Sequence, residues 1–444
     1  MRLGFLVDGG ESKALVPLKL LFLIHYAAFS TQTYLPIYFD VTEHFTKLQI
    51  GVLLSIPCIC AILGPPIWGA AADILHNQKF IHIICLVSAA LLMFSIRFVT
   101  SFEFMCIMVF LANFQTQPTM SLLDQTSMAL LARVGGDYGK QRLYGAIGWG
   151  AGGYAAGVLA AAAGIAWCFN MVLALSCVSL FLLVKYIPSI QRKVTHNKGD
   201  FLQSLLLIFT QRDLIVLFVI VLLAGIMGGL IDNFLFLYLF NLSNNDANLV
   251  GVIIAVQTIS ELPLFFNANR IITHFGTPMC VVVSLIAYGI RLIVYVFVQH
   301  PWVALPIEVL HGLTYGLLWA AFTNYVYQSA PEGTEGTMIG VLTALQKGLG
   351  SGAGTLVGGY IYDHYGARAM WKVAGFGIFP CSLFFAMIFA TVARNFTGQS
   401  PSRSHSNGAL NKEGANLVAN EELHSMNGYG TPVSDGQRKI DGVA

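Results

Sequence analysis

Apolar runs of about twenty residues or more recur twelve times along this chain, and they constrain its fold more than any other feature. The hydrocarbon core of a bilayer is roughly 30 Å thick and takes about 20 mostly apolar residues wound as an α-helix. The runs lie near 18–39, 50–74, 80–99, 104–131, 143–163 and 165–187, then near 213–241, 248–272, 278–298, 302–328, 337–362 and 369–393. Lipid offers no partner to a backbone amide, so each run is expected to bond its own peptide groups as a helix. The run at 143–163 is the richest in Gly and Ala, which suits close packing inside a bundle. The first run is too long for a secretory signal, and no small-residue cleavage site follows it.

Charged residues make up only 10% of the chain, against about 25% in an average soluble domain. A soluble body of 444 residues would lack the charge to cover its surface. That argues against a soluble enzyme, a nucleic-acid binder and a disordered scaffold. The net charge of +2 is too mild for a polyanionic partner. All eight cysteines lie in apolar runs, so buried thiols are expected, not disulfides or zinc. Cys58 and Cys60 lack metal-site spacing, and neither a metal nor another cofactor is expected.

Cytoplasmic loops of membrane proteins carry an excess of Lys and Arg. With the N-terminus inside, eighteen of the 24 Lys and Arg fall in inner segments, and only Lys47, Arg97, Arg368 and Lys372 in outer ones. Both termini are therefore expected in the cytoplasm. The sequon Asn241-Leu242-Ser243 then lies outside, close to the membrane.

The runs form two sets of six. We read residues 1–17 as a cytoplasmic N-terminus, 18–187 as one six-helix bundle, 188–212 as a central cytoplasmic loop and 213–393 as a second bundle. The Ser-, Asn- and Gly-rich residues 394–444 read as a disordered tail. Paired six-helix halves with a binding site at the midplane are the layout of many secondary transporters.

An ionisable group inside a span is costly, which makes it a functional candidate. Asp124, Asp232, Glu261 and Glu308 are the carboxylates in or near the bundle; Arg142, Arg291 and Lys347 are the permanent cations, and His25 and His311 can titrate. Four anions against three cations leave one carboxylate without a counter-charge unless a histidine is charged, and such a group takes up a proton. Glu308 and His311 are three residues apart and share a helix face. The same groups also suit a structural ion-pair network that holds the helices in register.

Several strings carry a family resemblance. Gly69-Ala-Ala-Ala-Asp73-Ile-Leu-His76-Asn-Gln-Lys79 resembles the Gly-x-x-x-Asp-x-x-Gly-Arg-Lys loop of the major facilitator superfamily, without its Gly-Arg pair. In that family the Asp helps gate the inner face, a role that would fall on Gly69 and Asp73; Asp73 also suits a plain helix cap. Tyr138-Gly139-Lys140-Gln141-Arg142-Leu-Tyr-Gly145-Ala-Ile-Gly148-Trp149, with Asp124 eighteen residues before the Arg, resembles the oligosaccharide:proton symporters typified by lactose permease, and their eukaryotic orphan relatives.

The resemblance implies that Asp124 and Arg142 bind sugar hydroxyls and that Trp149 stacks on the ring. It implies that Glu261 couples sugar and proton, that Arg291 and His311 serve the proton, and that Lys347 pairs with Asp232. Without the resemblance, Arg142 reads as a positive-inside loop residue, Trp149 as an interfacial aromatic and Asp124 as a partner of Arg133. One departure stands out. The family's proton-carrying Glu falls where this chain has Thr314, and a Glu appears at position 308 instead.

The expected protein is an all-α polytopic membrane protein of twelve helices in two six-helix halves. It would be a secondary active transporter of a small polar solute, saccharide-like, worked by alternating access and coupled to protons. Alternatives are an uncoupled facilitator or nutrient sensor, or a carrier of nucleosides or small organic acids. No enzyme constellation is found. The glycine-rich Gly348–Gly359 sits inside a span, and no Gly-Lys-Ser/Thr follows it, so it is helix packing and not a phosphate loop. A monomer in the plasma membrane or an organelle membrane is expected, with the lipid bilayer, the solute and protons as its partners.

Overall fold

A computed structural model describes residues 15–136, 138–189, 211–330 and 334–393; the side chains of Asp73, Glu335 and Gly336 lie outside the description. The extreme N-terminus, most of the central loop and the tail fall among the undescribed residues.

Every apolar run is helical. The first six helices are α1 (Leu15–Val41), α2 (Lys47–Ile74), α3 (Gln78–Phe98), α4 (Phe102–Val134), α5 (Tyr138–Ala163) and α6 (Trp167–Tyr186). The second six are α7 (Arg212–Leu242), α8 (Ala247–Phe275), α9 (Thr277–Phe297), α10 (Pro301–Glu308 with Gly312–Ser329), α11 (residues 335–365) and α12 (Ala367–Val392). Among the described residues, nine of these are long and apolar enough to cross a membrane, and α10 is a tenth, bent by 42°. The other two, α4 and α11, are the ones most diluted by polar or glycine residues: Gln115, Gln117 and Asp124 in α4, Gln346, Lys347 and a run of glycines in α11.

The span over 302–328 is helical but broken. The helix stops at Glu308 and resumes as a π-helical turn, Gly312–Leu317, before Leu318–Ser329. Two more π-helical turns interrupt α11 at Ala344–Gly350 and α12 at Ala374–Ile378.

Small residues set which helices touch. On α5, a Cβ at Gly148 would stand 2.1 Å from the Leu23 carbonyl oxygen of α1, and one at Gly157 would stand 2.9 Å from the Gly251 Cα of α8. A Cβ on Gly354 of α11 would stand 2.3 Å from the Ile226 oxygen of α7. The Gly- and Ala-rich α5 therefore joins its own half through α1 and the other half through α8. The main apolar core runs through α7, α9, α10 and α12, around Tyr295, Tyr325, Phe234 and Trp371.

The halves are tied at one end. The Lys47 amide at the start of α2 donates to Asp363 Oδ1 of α11 at 2.9 Å. Asn241 Nδ2 of α7 donates to Asp40 Oδ2 of α1 at 3.1 Å, and Lys47 Nζ bonds Asp40 as well. Gly51 and Gly359 meet backbone to backbone just below. Toward the opposite end, a Cβ on Gly69 would meet nothing within 4 Å.

Candidate functional site

In the first half, α4 and α5 bring Asp124 and Arg142 together. Asp124 Oδ1 lies 4.0 Å from Arg142 Nε, and the two side chains are 31% and 39% exposed. The guanidinium lies 4.3 Å above the Tyr26 ring of α1. Gly145, one turn on, leaves the room: a Cβ there would sit 2.9 Å from Arg142 Nη1 and 3.1 Å from Tyr26. Tyr138 donates a hydrogen bond to Asp124. Trp149, seven residues past Arg142 and so on nearly the same face of α5, is partly buried against two apolar clusters.

In the second half, α8, α9 and α10 build a dry network. Glu308 is wholly buried and Arg291 is 1% exposed, with Nη2 donating to Glu308 Oε2 at 2.7 Å. Gln257 Nε2 donates to the same oxygen at 2.5 Å, and the Tyr295 hydroxyl donates to Oε1. Arg291 Nε in turn donates to the Tyr295 oxygen at 3.1 Å, and Nη1 donates to Thr314 Oγ1 at 2.6 Å.

His311 borders this network. Its Nδ1 lies 3.4 Å from Arg291 Nη1, and a guanidinium only donates, so Nδ1 is the bare nitrogen. The proton of the neutral ring then sits on Nε2, which faces Glu261 Oε2 at 3.9 Å. His311 stacks on Tyr315 with ring centroids 5.5 Å apart.

One expectation is corrected here. Asp232 and Lys347 do not form an ion pair. Lys347 Nζ lies instead over the rings of Tyr315, at 5.8 Å, and Trp319, at 5.4 Å. It leaves from a π-helical turn, and the exposed Asp232 is within electrostatic reach but out of contact. Glu308 has Arg291 as its counter-charge, and among the described ion pairs Asp232 and Glu261 have no permanent cation in contact.

These groups share one neighbourhood. Glu261 is within electrostatic reach of Arg142 from the other half and of Lys347 and Asp232 from its own. Lys347 likewise acts on Asp124. His25 is elsewhere: it is fully buried, 3.2 Å from Thr119 Oγ1, with the His82 ring 6.1 Å away. Gly69 lies in the last turns of α2, facing open space.

Sequence reading missed Tyr26, Tyr295 and Tyr315, and had Gln257 only as one of several polar residues on the charged helices. Tyr295 is four residues from Arg291, and Gln257 four from Glu261, so helical spacing carried a signal for both. Tyr26 and Tyr315 had none, because only packing aims them at Arg142 and Lys347. Among the described residues, no group of three or more His, Cys, Asp or Glu side chains is placed to hold a metal ion.

The chain is 24% identical over 354 residues to the uncharacterized transporter YwbF of Bacillus subtilis, covering 78% of this chain and 87% of that one. It is 24% identical to the maltose permease of Geobacillus stearothermophilus, covering 79% and 88%. It is 27% identical to major facilitator superfamily domain-containing protein 6-like protein B of Xenopus laevis, over 44% of this chain and 32% of that longer one. The crystal structure of the nucleoside transporter NupG matches with a TM-score of 0.73 and 20% identity, over 86% of this chain and all of that one, a likeness of fold. The MFS_1 like family matches residues 15–373. The chain belongs to this family, and is a transporter of the major facilitator superfamily.

Proposed function

We propose that this protein carries a small polar organic solute, saccharide-like, across its membrane by alternating access, with protons as the coupling ion. The observation that carries the reading is the convergence of charged groups from both halves. Asp124 and Arg142, backed by Tyr26, stand across from Glu261, His311 and Lys347, backed by Tyr315. A carboxylate beside a guanidinium gives paired directional donors and acceptors for vicinal hydroxyls, and the aromatic rings suit the apolar face of a sugar. The likeness to a maltose permease supports a saccharide, and the likeness to nucleoside carriers keeps nucleosides as the second reading. Both termini face the cytoplasm, so the tied end is the outer one. The plasma membrane is the proposed site, and the single chain is the working unit.

Proton coupling follows from the charge balance. With Arg291 and Glu308 neutralising each other, the converging groups keep Asp124, Asp232 and Glu261 against Arg142 and Lys347, one negative charge in excess. A proton on Glu261 or His311 balances it, and its loss biases the two conformations.

Purified protein in vesicles, given a panel of sugars and nucleosides at two pH values, tests the reading. An inward proton gradient should drive accumulation, and adding the solute should alkalinise the outer medium. Glu261→Gln should lose proton-driven accumulation and keep solute exchange. Accumulation indifferent to the gradient, or unchanged in the variant, would sink the coupling assignment.

A further inference from the structure

A cavity lies away from the charged groups. It is a cleft of about 510 Å³ between α8, α10 and α11, toward the end opposite the tie. Phe265 and Asn269 of α8, Thr323, Asn324 and Tyr327 of α10 and Ile339 of α11 form its walls, and no lining residue is charged. Carboxamides are out of place on a surface that faces lipid, so Asn269 and Asn324 mark a wet wall. Asn269 is exposed, and Asn324 takes a single hydrogen bond from Gln328 at 3.2 Å, leaving its amide nitrogen for a ligand.

A chain of side-chain contacts links the cleft to the charged groups. Glu261 faces His311, His311 stacks on Tyr315, Tyr315 meets Phe265 edge-on at 6.2 Å, and Phe265 lines the cleft. Aromatic walls with two carboxamides and a hydroxyl make a site for a ring that carries hydroxyl or amide groups. Its volume falls in the range of small-molecule pockets, about 300–1,000 Å³.

Resting on the transport reading above, we propose that this cleft is a second solute site on the exit side, and that it selects an uncharged cargo. A carboxylate or phosphate held in it would find no cationic partner on its walls. A neutral glycoside or nucleoside leaves Arg142, Lys347 and the carboxylates behind and keeps its hydrogen bonds through Asn269 and Asn324. Organic acids are therefore not the cargo.

A cysteine at Thr323 reports on the cleft directly. In full-length Thr323→Cys protein in vesicles, the maleimide labelling rate is measured above that of the parent with its native thiols. Millimolar maltose or uridine is the neutral probe, and glucuronate the charged one. A neutral probe should slow labelling several-fold, and glucuronate should not. Asn269→Leu with Asn324→Leu should abolish the protection, and Asp124→Asn, which disables the charged site, should keep it.

Labelling indifferent to both neutral probes, equal protection by glucuronate, or protection lost with Asp124→Asn would each overturn the second site. Uptake of the same probes is followed in parallel. Its absence sinks the transport reading, whereas uptake without protection sinks only the cleft.

Discussion

Arg291 shows why intramembrane charge in this protein has to be judged by contacts and not by counts. Its guanidinium reaches Glu308, Tyr295, Thr314 and His311, four partners on two helices. A planar fork of five donors can do this; an ammonium on a flexible stem cannot. Removing one member of a buried ion pair costs about 3–5 kcal/mol, while replacing both by apolar groups is often neutral. Arg291→Met or Glu308→Leu alone should therefore lower thermal stability in detergent sharply, and the double variant should recover most of the loss. A double variant as unstable as the sum of the singles would show that the pair does not act as a unit. Tyr295→Phe removes the hydroxyl between Arg291 and Glu308 and should cost about 1–2 kcal/mol. That position 308 holds an intramembrane charge was legible in the sequence. That the charge is spent on Arg291 was not, because two helices and three side chains have to converge to make the contact.

Element by element, the helices are where the apolar runs lie, since lipid leaves a backbone no alternative. Their interruptions are another matter. A π-turn adds a residue to one turn and re-aims the side chains beyond it, and such turns gather at functional sites. Gly312–Leu317 begins directly after His311, and Ala344–Gly350 contains Lys347. Gly312 also lets α10 lie against α8: a Cβ there would stand 2.3 Å from the Ser260 carbonyl oxygen, and its amide donates to Ser260 Oγ at 3.2 Å. Gly312→Ala should push His311 away from Glu261 and cut uptake at least tenfold, whereas Gly69→Ala, in open space, should fold and transport normally. Uptake and thermal unfolding of the two variants check this, and equal behaviour would remove the special role of Gly312. The π-turns depend on packing against α8 and α7 and leave no local signature.

At the scale of the whole molecule, one conformation is fastened by a few polar contacts. Asp363 caps the first amide of α2 from the other half, and Asn241 reaches Asp40, so the amide that the sequon at 241–243 offers to a glycan is already a donor in the tie. A side-chain cap contributes about 1 kcal/mol, enough to shift a two-state balance roughly fivefold. Asp363→Ala with Asn241→Ala should populate the form opened at this end. Spin labels on Thr42 and Asn248, one on each half, should then show a longer distance; an unchanged distribution would mean that the glycine contacts alone hold the end shut. Sequence alone determined the membrane setting, the helices and the charges inside them, because lipid penalises every unbonded amide and every bare charge wherever it stands in the chain. Which charges neutralise one another, where the helices bend and which end is shut were decided only by tertiary packing, since each depends on distances between residues up to 316 positions apart.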